Sequence, residues 1–393
     1  MADIRPFSPI RFCDHFSKDM ALLTCPPYDV ISVDEKQELL SKHPYNAVRL
    51  VLPEPPDPYK RAANLLHQWL REGILCKRKE KSLFVYKHEF TSQVSYKKVT
   101  RTGIIAAIRL EDFENKIILP HERTHTGPKE DRLQLTIATQ TCLEPIFLLH
   151  DSKQAQDLLE KAINEATMLY SFSLDDQIHT IWEIPNRDMQ QTVINELNKA
   201  KFLIADGHHR YETALTYRNL ENAKGPNMAS NFVMALMVYM NDTGLEVLPV
   251  HRAVKKESGI YINTDKRERI ELSKVEDALY SSANVVLIQE NQAYLIDLKP
   301  NGRPEVMALH QDIIDPQLGG KRPEDVFIYT KNISEAIELV SKGKATQGFL
   351  LPPIKVQYVM DAAEKGVMMP QKSTYFYPKP ASGLFFMALD EEL

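Results

Sequence analysis

A chain of 393 residues, 43% hydrophobic and 26% charged, has enough apolar mass for two or three lobes and a full core. Its net charge of -5 and pI near 6.2 exclude a protein that coats nucleic acid by bulk charge, so no nucleic-acid partner is expected. The longest apolar stretch, Phe232 to Met240, falls well short of the roughly 20 residues that span a bilayer, so no membrane partner is expected either.

The opening MADIRPFSPIRFCDHF, with Asp3, Arg5 and Arg11 spread through it, is not a signal peptide. Cys13, Cys25, Cys76 and Cys142 lie far apart without a CxxC pair, which predicts reduced, mostly buried thiols and a cytoplasmic address. Cys25, beside Pro26-Pro27, is a candidate nucleophile with no base near it in sequence. After two proline-rich turns, apolar residues at helical spacing (Ala62, Leu65, Leu66, Trp69, Leu70) predict a helix over Tyr59 to Glu72, stopped by Gly73. Ser82 to Thr91 and Lys97 to Leu110 predict a hairpin, and Leu143 to Leu149 a further strand.

Beyond residue 150 the pattern alternates. A helix over Gln154 to Ala166 precedes strands at Met168 to Leu174 and Ile178 to Ile184. A second helix, Met189 to Ala200, leads into the strand Lys201 to Ala205, and the next helix runs through Tyr211 to Leu220. Asn231 to Asn241 and Leu245 to Val254 read as paired strands about Asp242-Thr243-Gly244, and Thr374 to Tyr377 and Leu384 to Leu389 as late strands. Hairpins mixed with strand–helix steps predict an α+β fold with mixed sheets. Three segments are expected: 1–150 as an N-terminal lobe, 151–260 as the core, and 261–393 as a C-terminal α/β lobe packing on it.

The segment Asp206-Gly207-His208-His209-Arg210 carries the most chemistry. An apolar strand ends on Asp206, Gly207 permits a tight turn, and a helix follows, so backbone N–H groups and the helix dipole favour an anion there. Arg210 can fork to phosphate oxygens, His208 and His209 can donate or shuttle a proton, and Asp206 can accept one. The plainer alternative is a polar loop whose histidines cap a helix and face water.

The stretch Ile204 to Tyr211 resembles the phosphate-binding loop of the ParB/sulfiredoxin superfamily. Its members include nucleotide-binding partition proteins, sulfiredoxins and kinases of free serine. The chain as a whole is similar to the family called domain of unknown function 1015. That likeness is carried by Cys25 to Ile31, His43 to Leu50, Leu119 to Thr124, Val247 to Arg252 and Met369 to Lys379. The resemblance implies a ParB/sulfiredoxin-like core with added N- and C-terminal elements.

His121-Glu122-Arg123-Thr124-His125 is a literal HExxH, the zinc-protease pattern. Pro120 before it and Gly127-Pro128 after it leave room for one or two helical turns at most, so no zinc and no dedicated metal ligands are expected. The zinc-finger reading of His121 to Lys129 fails for want of an upstream cysteine pair. A second anion-handling loop fits better, with Arg123, Thr124, Lys129 and Arg132 as phosphate donors. Glutamate is the base in the serine kinases of the superfamily, and the setting of Glu122 among these donors makes it the candidate here. Tyr28, Asp29, Asn46, Arg49, His251, Arg252, Lys372 and Ser373 are candidate substrate-binding residues beside turns.

The expected activity is therefore a small-molecule phosphotransferase acting on serine or phosphoserine. ATP, ADP or pyrophosphate would be the donor, and magnesium would accompany its phosphates. Glu122 or Asp206 would take the hydroxyl proton and His208 would assist. A phosphatase and a non-catalytic ParB-like nucleotide-binding module are the alternatives. A partition protein needs a helix-turn-helix and a basic face, and neither is evident in this acidic chain.

Overall fold

The computed structural model describes residues 1–122, 126–221, 225–264, 267–281 and 284–393, with the side chains of 126–128 and 267 outside the description. The chain divides into two units. The first holds Met1–Pro120, the stretch ending at Leu245, and Pro378–Leu393; the second holds His121 and Glu122 together with Glu246–Tyr377.

A nine-stranded sheet organises the first unit. In chain order its strands are Ile4–Arg5 (β1), Leu83–Thr91 (β2), Lys98–Arg109 (β3), Ile118–Leu119 (β4), Ile146–His150 (β5), Thr167–Leu174 (β6), Gln177–Ile184 (β7), Phe202–Asp206 (β8) and Phe232–Tyr239 (β9). Their spatial order is β4-β8-β5-β9-β3-β2-β7-β6, with β1 paired to β3. The β4–β8 and β5–β9 pairs are parallel and the others antiparallel, so the sheet is mixed. β2 and β3 form the expected hairpin, and β6 and β7 a second one.

Alternate residues of these strands (Val85, Ile104, Ala106, Ile146, Leu148, Ile204, Ala235) share one buried apolar cluster with Leu159, Val193 and Tyr211. Those three come from the helices Lys153–Ile163, Arg187–Leu197 and His208–Leu220, all expected, which cover that face through their apolar stripes. On the other face Phe385, from the C-terminal segment, packs edge-on against Phe7 and at a tilt against Phe84. Tyr59 to Glu72 is helical over Pro58–Arg71, as its spacing predicts.

A smaller four-stranded sheet pairs Leu75–Lys77, Pro9–Phe12, Phe386–Ala388 and Thr141–Cys142. Pairing of its first two strands brings Cys13 and Cys76 together as a disulfide with Cα atoms 5.1 Å apart. The expectation of four reduced thiols is therefore corrected. The partners are 63 residues apart, and only the strand pairing makes them neighbours.

The second unit holds a six-stranded antiparallel sheet. Its strands are His251–Lys255 (β10), Arg267–Ile270 (β11), Val285–Gln289 (β12), Gln292–Ile296 (β13), Phe327–Thr330 (β14) and Ala345–Leu350 (β15), in the order β11-β13-β12-β15-β10-β14. Ala253, Val286, Ile288 and Leu350 pack with Ala336 of the helix Ile333–Ser341.

Two expectations about organisation change. The large sheet draws strands from both sides of residue 150, so the segments 1–150 and 151–260 are not separate lobes. The strands expected to pair about Asp242-Thr243-Gly244 do not pair with each other: β9 lies between β3 and β5, and Glu246–Leu248 pairs with Tyr375–Tyr377. The turn itself docks on β3. Asp242 Oδ2 accepts the Thr102 N–H at 3.2 Å, and a Cβ on Gly244 would stand 2.4 Å from the Thr100 carbonyl. The turn packs on β3 rather than on the strand that follows it. Among the described residues no helix is long and apolar enough to cross a membrane.

Candidate functional site

β8 is buried from Phe202 to Ala205 and emerges at Asp206. Gly207 then adopts φ 91° and ψ 29°, a left-handed conformation that residues with a Cβ rarely take. A Cβ there would also lie 2.6 Å from Ile146 Cγ2 and 3.0 Å from Arg210 Nε. The 13-residue helix His208–Leu220 starts at once, its first bond running from the Tyr211 N–H to the Gly207 carbonyl at 2.9 Å. The strand–glycine–helix junction read in the sequence is present, with half-buried His208 and His209 in the first turn. Its positive dipole end suits an anion.

Four alternating charges support the turn from below. Arg210 donates through Nη2 to Asp206 Oδ2 and through Nη1 to the Pro145 carbonyl. Lys379 Nζ lies 2.7 Å from Asp206 Oδ1 and 2.5 Å from Asp29 Oδ2. The Arg210, Asp206 and Lys379 side chains are only 9%, 15% and 8% exposed, so the ladder is largely desolvated. Burial opposes both cations, yet Asp206 foremost, then Asp29 and, for Arg210, Glu144, hold both above their ordinary values. Glu144 accepts the Tyr28 N–H at 3.1 Å and the Ser382 hydroxyl at 2.7 Å. Tyr28 lies under the Arg132 guanidinium at 4.3 Å, and burial pushes its phenol up to about 12.

The structure thus gathers Tyr28, Asp29, Arg132, Asp206, Gly207 and Arg210, and adds Lys379 and Glu144, which sequence reasoning missed. Lys379 stood at the end of the Met369 to Lys379 segment, but nothing local showed that it reaches back to Asp206 and Asp29. Several expected phosphate donors have protein partners instead. Lys129 pairs with Glu212; Arg132 donates to Asp131 and to the Val51 carbonyl. Arg210 braces the loop rather than presenting an open fork.

In the second unit Glu122 occupies a cradle of backbone amides. Its Oε1 accepts the N–H of Ser373 at 2.9 Å and of Thr374 at 3.2 Å, and Oε2 that of Lys372 at 3.2 Å. Lys372 has φ 55°, the left-handed step that turns successive amides toward one point. The Thr374 hydroxyl lies 3.3 Å from Oε1 and 2.8 Å from His121 Nε2. Ser373 Oγ donates to the Pro370 carbonyl. Lys372, Ser373 and Glu122, proposed from distant parts of the sequence, therefore meet. Arg123, Thr124 and His125 lie outside the described residues.

His121 and Glu122 are extended, with Glu122 bridging to Met369, so they do not open the helix an HExxH zinc site requires. Gly127-Pro128, read as a helix stop, instead falls in the first turn of Thr126–Thr139, where proline costs no hydrogen bond. Among the described residues no group of three or more His, Cys, Asp or Glu is placed to hold a metal.

Four other candidates have partners within the fold. Asn46 is buried and bonds the carbonyls of Leu22 and Thr24 and the Val48 N–H. Arg49 donates to the Leu40 carbonyl at 2.6 Å. His251 and Arg252 are fully buried, His251 Nδ1 accepting from the Leu351 N–H. Burial raises the Cys25 thiol well above its ordinary value and the Cys142 thiol to about 11, which disfavours either as a nucleophile. A cavity of about 60 Å³ lies beside Cys142, Glu144, Arg210 and Tyr217.

The model of the family described as "Protein of unknown function (DUF1015)" matches residues 4–315. The chain belongs to this family. No curated protein matches it. Among solved structures it is similar to a free serine kinase in complex with AMP, with 15% identity, TM-score 0.39, and coverage of 73% of this chain and 91% of that one. A conserved hypothetical protein from Pyrococcus furiosus shows 16% identity, TM-score 0.38, and coverage of 69% and 90%. SbnI from Staphylococcus aureus, with a C-terminal truncation, shows 10% identity, TM-score 0.38, and coverage of 74% and 87%.

Proposed function

We propose that this DUF1015 member is a small-molecule phosphotransferase, with a nucleotide or pyrophosphate as donor and free serine as acceptor. The observation that carries the reading is the Gly207 turn. A left-handed glycine opens a 13-residue helix at the end of a buried strand, braced by two buried cations. In this reading the Gly207 turn, His208 and His209 hold the donor's phosphates. Lys379 and Arg210 fix the turn through Asp206 and offset the phosphate charge. The serine acceptor rests on the resemblance of Ile204 to Tyr211 to the loop of the superfamily kinases.

In the transfer the serine hydroxyl oxygen bonds to phosphorus as the bond from phosphorus to the leaving group breaks. The hydroxyl proton passes to a carboxylate. Glu122 and Asp206 are the two candidates, and both oxygens of each are engaged, by backbone amides in Glu122 and by ion pairs in Asp206. A magnesium ion would come with the donor. Phosphate oxygens and water would be its main ligands.

The test is incubation of the full chain with serine plus ATP, ADP or pyrophosphate and magnesium, with phosphoserine followed by mass spectrometry. Turnover is expected with one donor. Glu122→Gln should lower kcat by about 10²- to 10⁴-fold with donor affinity kept, whereas Asp206→Asn should weaken donor binding itself. Nucleotide binding without turnover in any mixture overturns the enzyme reading in favour of a non-catalytic nucleotide module. Full activity in Glu122→Gln removes Glu122 as the base.

A further inference from the structure

Arg252 is completely buried on β10 and forms no ion pair among the described residues. A guanidinium taken out of water must find acceptors. Its Nη1 donates to the Val250 carbonyl, its Nη2 to the Gln371 carbonyl at 3.3 Å, and its Nε to His310 Nε2 at 3.2 Å. The Tyr329 ring lies 5.5 Å below the guanidinium. Burial brings Arg252 down to about 10, so it remains a cation at neutral pH.

Arginine Nε can only donate, so His310 Nε2 must be the bare nitrogen and its proton must sit on Nδ1. That Nδ1 lies 2.9 Å from Asp315 Oδ1. His310 and Asp315 are five residues apart, a spacing that puts them on different faces of an α-helix. Here Leu309–Ile314 forms a π-helix, whose wider turn brings the fifth residue round beneath the first. The rare helix type thus has a local consequence: it joins a half-exposed carboxylate to a buried imidazole, and that imidazole to a buried arginine.

The relay ends on the Gln371 carbonyl. The next three residues, Lys372, Ser373 and Thr374, supply the amides that hold Glu122. We propose that Asp315, His310 and Arg252 are positioning residues that fix the Gln371–Thr374 turn and, through it, the Glu122 carboxylate. Their effect on turnover rests on the phosphotransferase reading of Glu122; their effect on the turn does not.

Two measurements on the full chain test this without any activity. Nitrogen-15 NMR of the His310 ring at neutral pH should show a neutral imidazole protonated on Nδ1. An Nε2–H tautomer or an imidazolium overturns the relay. Amide hydrogen exchange at Lys372, Ser373 and Thr374 should quicken by about tenfold in His310→Leu and stay near wild type in His310→Gln, which keeps an acceptor for Arg252. Unchanged exchange in His310→Leu overturns the positioning role. If that variant fails to fold, Asp315→Leu, at a half-exposed site, should quicken the same amides, and unchanged exchange there has the same meaning. Where turnover is present, His310→Leu should lower kcat with the donor KM unchanged, and His310→Gln should restore it. Absence of turnover in the wild type refutes the phosphotransferase reading and leaves the exchange result to decide the relay.

Discussion

Asp206 shows how little a residue's type reveals about its role. In sequence it is a carboxylate beside two histidines and an arginine, equally suited to base, ligand or hydroxyl acceptor. In the fold it is the centre of the chain Asp29–Lys379–Asp206–Arg210, and the cation that separates the two acids comes from residue 379. Removing that cation leaves two carboxylates facing a partly desolvated gap. Lys379→Met is expected to cost about 3 kcal/mol, read as a lower urea midpoint at unchanged m-value; an unchanged midpoint would show the ladder to be neutral. Gly207→Ala adds a Cβ at positive φ and 2.6 Å from Ile146. It should destabilise by about 1–3 kcal/mol and weaken phosphate binding, measured by titration calorimetry with ATP or pyrophosphate. Binding as tight as wild type would separate the turn from anion recognition.

At the scale of elements, periodicity identified most of the first unit. The Pro58–Arg71 helix, the β2–β3 and β6–β7 hairpins and the β8–Gly207–helix junction were all legible, because each is set by local alternation or a local turn residue. Partners were legible only when adjacent in the chain. The Asp242–Gly244 turn was recognised and its strands mispaired, because their true partners, β3, β5 and Tyr375–Tyr377, are remote in sequence. The Cys13–Cys76 disulfide belongs to the same scale, since it depends on pairing Pro9–Phe12 with Leu75–Lys77. Closing a loop of 63 residues should stabilise by about 4 kcal/mol in the chain-entropy model. Dithiothreitol should therefore lower the thermal midpoint of the wild type and leave that of the Cys13→Ser, Cys76→Ser double variant unmoved. Equal midpoints with and without reductant would mean that the bond contributes nothing.

For the whole molecule, the buried histidines set the response to acid. Burial lowers His150, His179 and His251 to about 3. Their unfolded values lie near 6.5, so below that pH the unfolded chain binds protons that the folded chain refuses. Stability from these groups is complete above pH 6.5 and declines as the pH falls toward 3. The slope approaches about 1.4 kcal/mol per pH unit for each histidine. Urea midpoints at pH 7.5 and 5.5 should differ, and His150→Asn should reduce the difference; equal midpoints would show that these rings open to solvent before they charge.

By itself the sequence determined the α+β class, the likeness to the DUF1015 family and the strand–glycine–helix junction at Gly207, because each is written in local runs of residues. A strand, a glycine and a helix start need no distant partner to be read. Only the tertiary structure decided which charges face Asp206, that Arg210 braces the turn, that Glu122 rests on the amides of Lys372 to Thr374, and that Arg252 is buried beside His310. Those assignments depend on groups brought together from as far as 350 positions apart, where desolvation makes a single opposite charge or acceptor decisive.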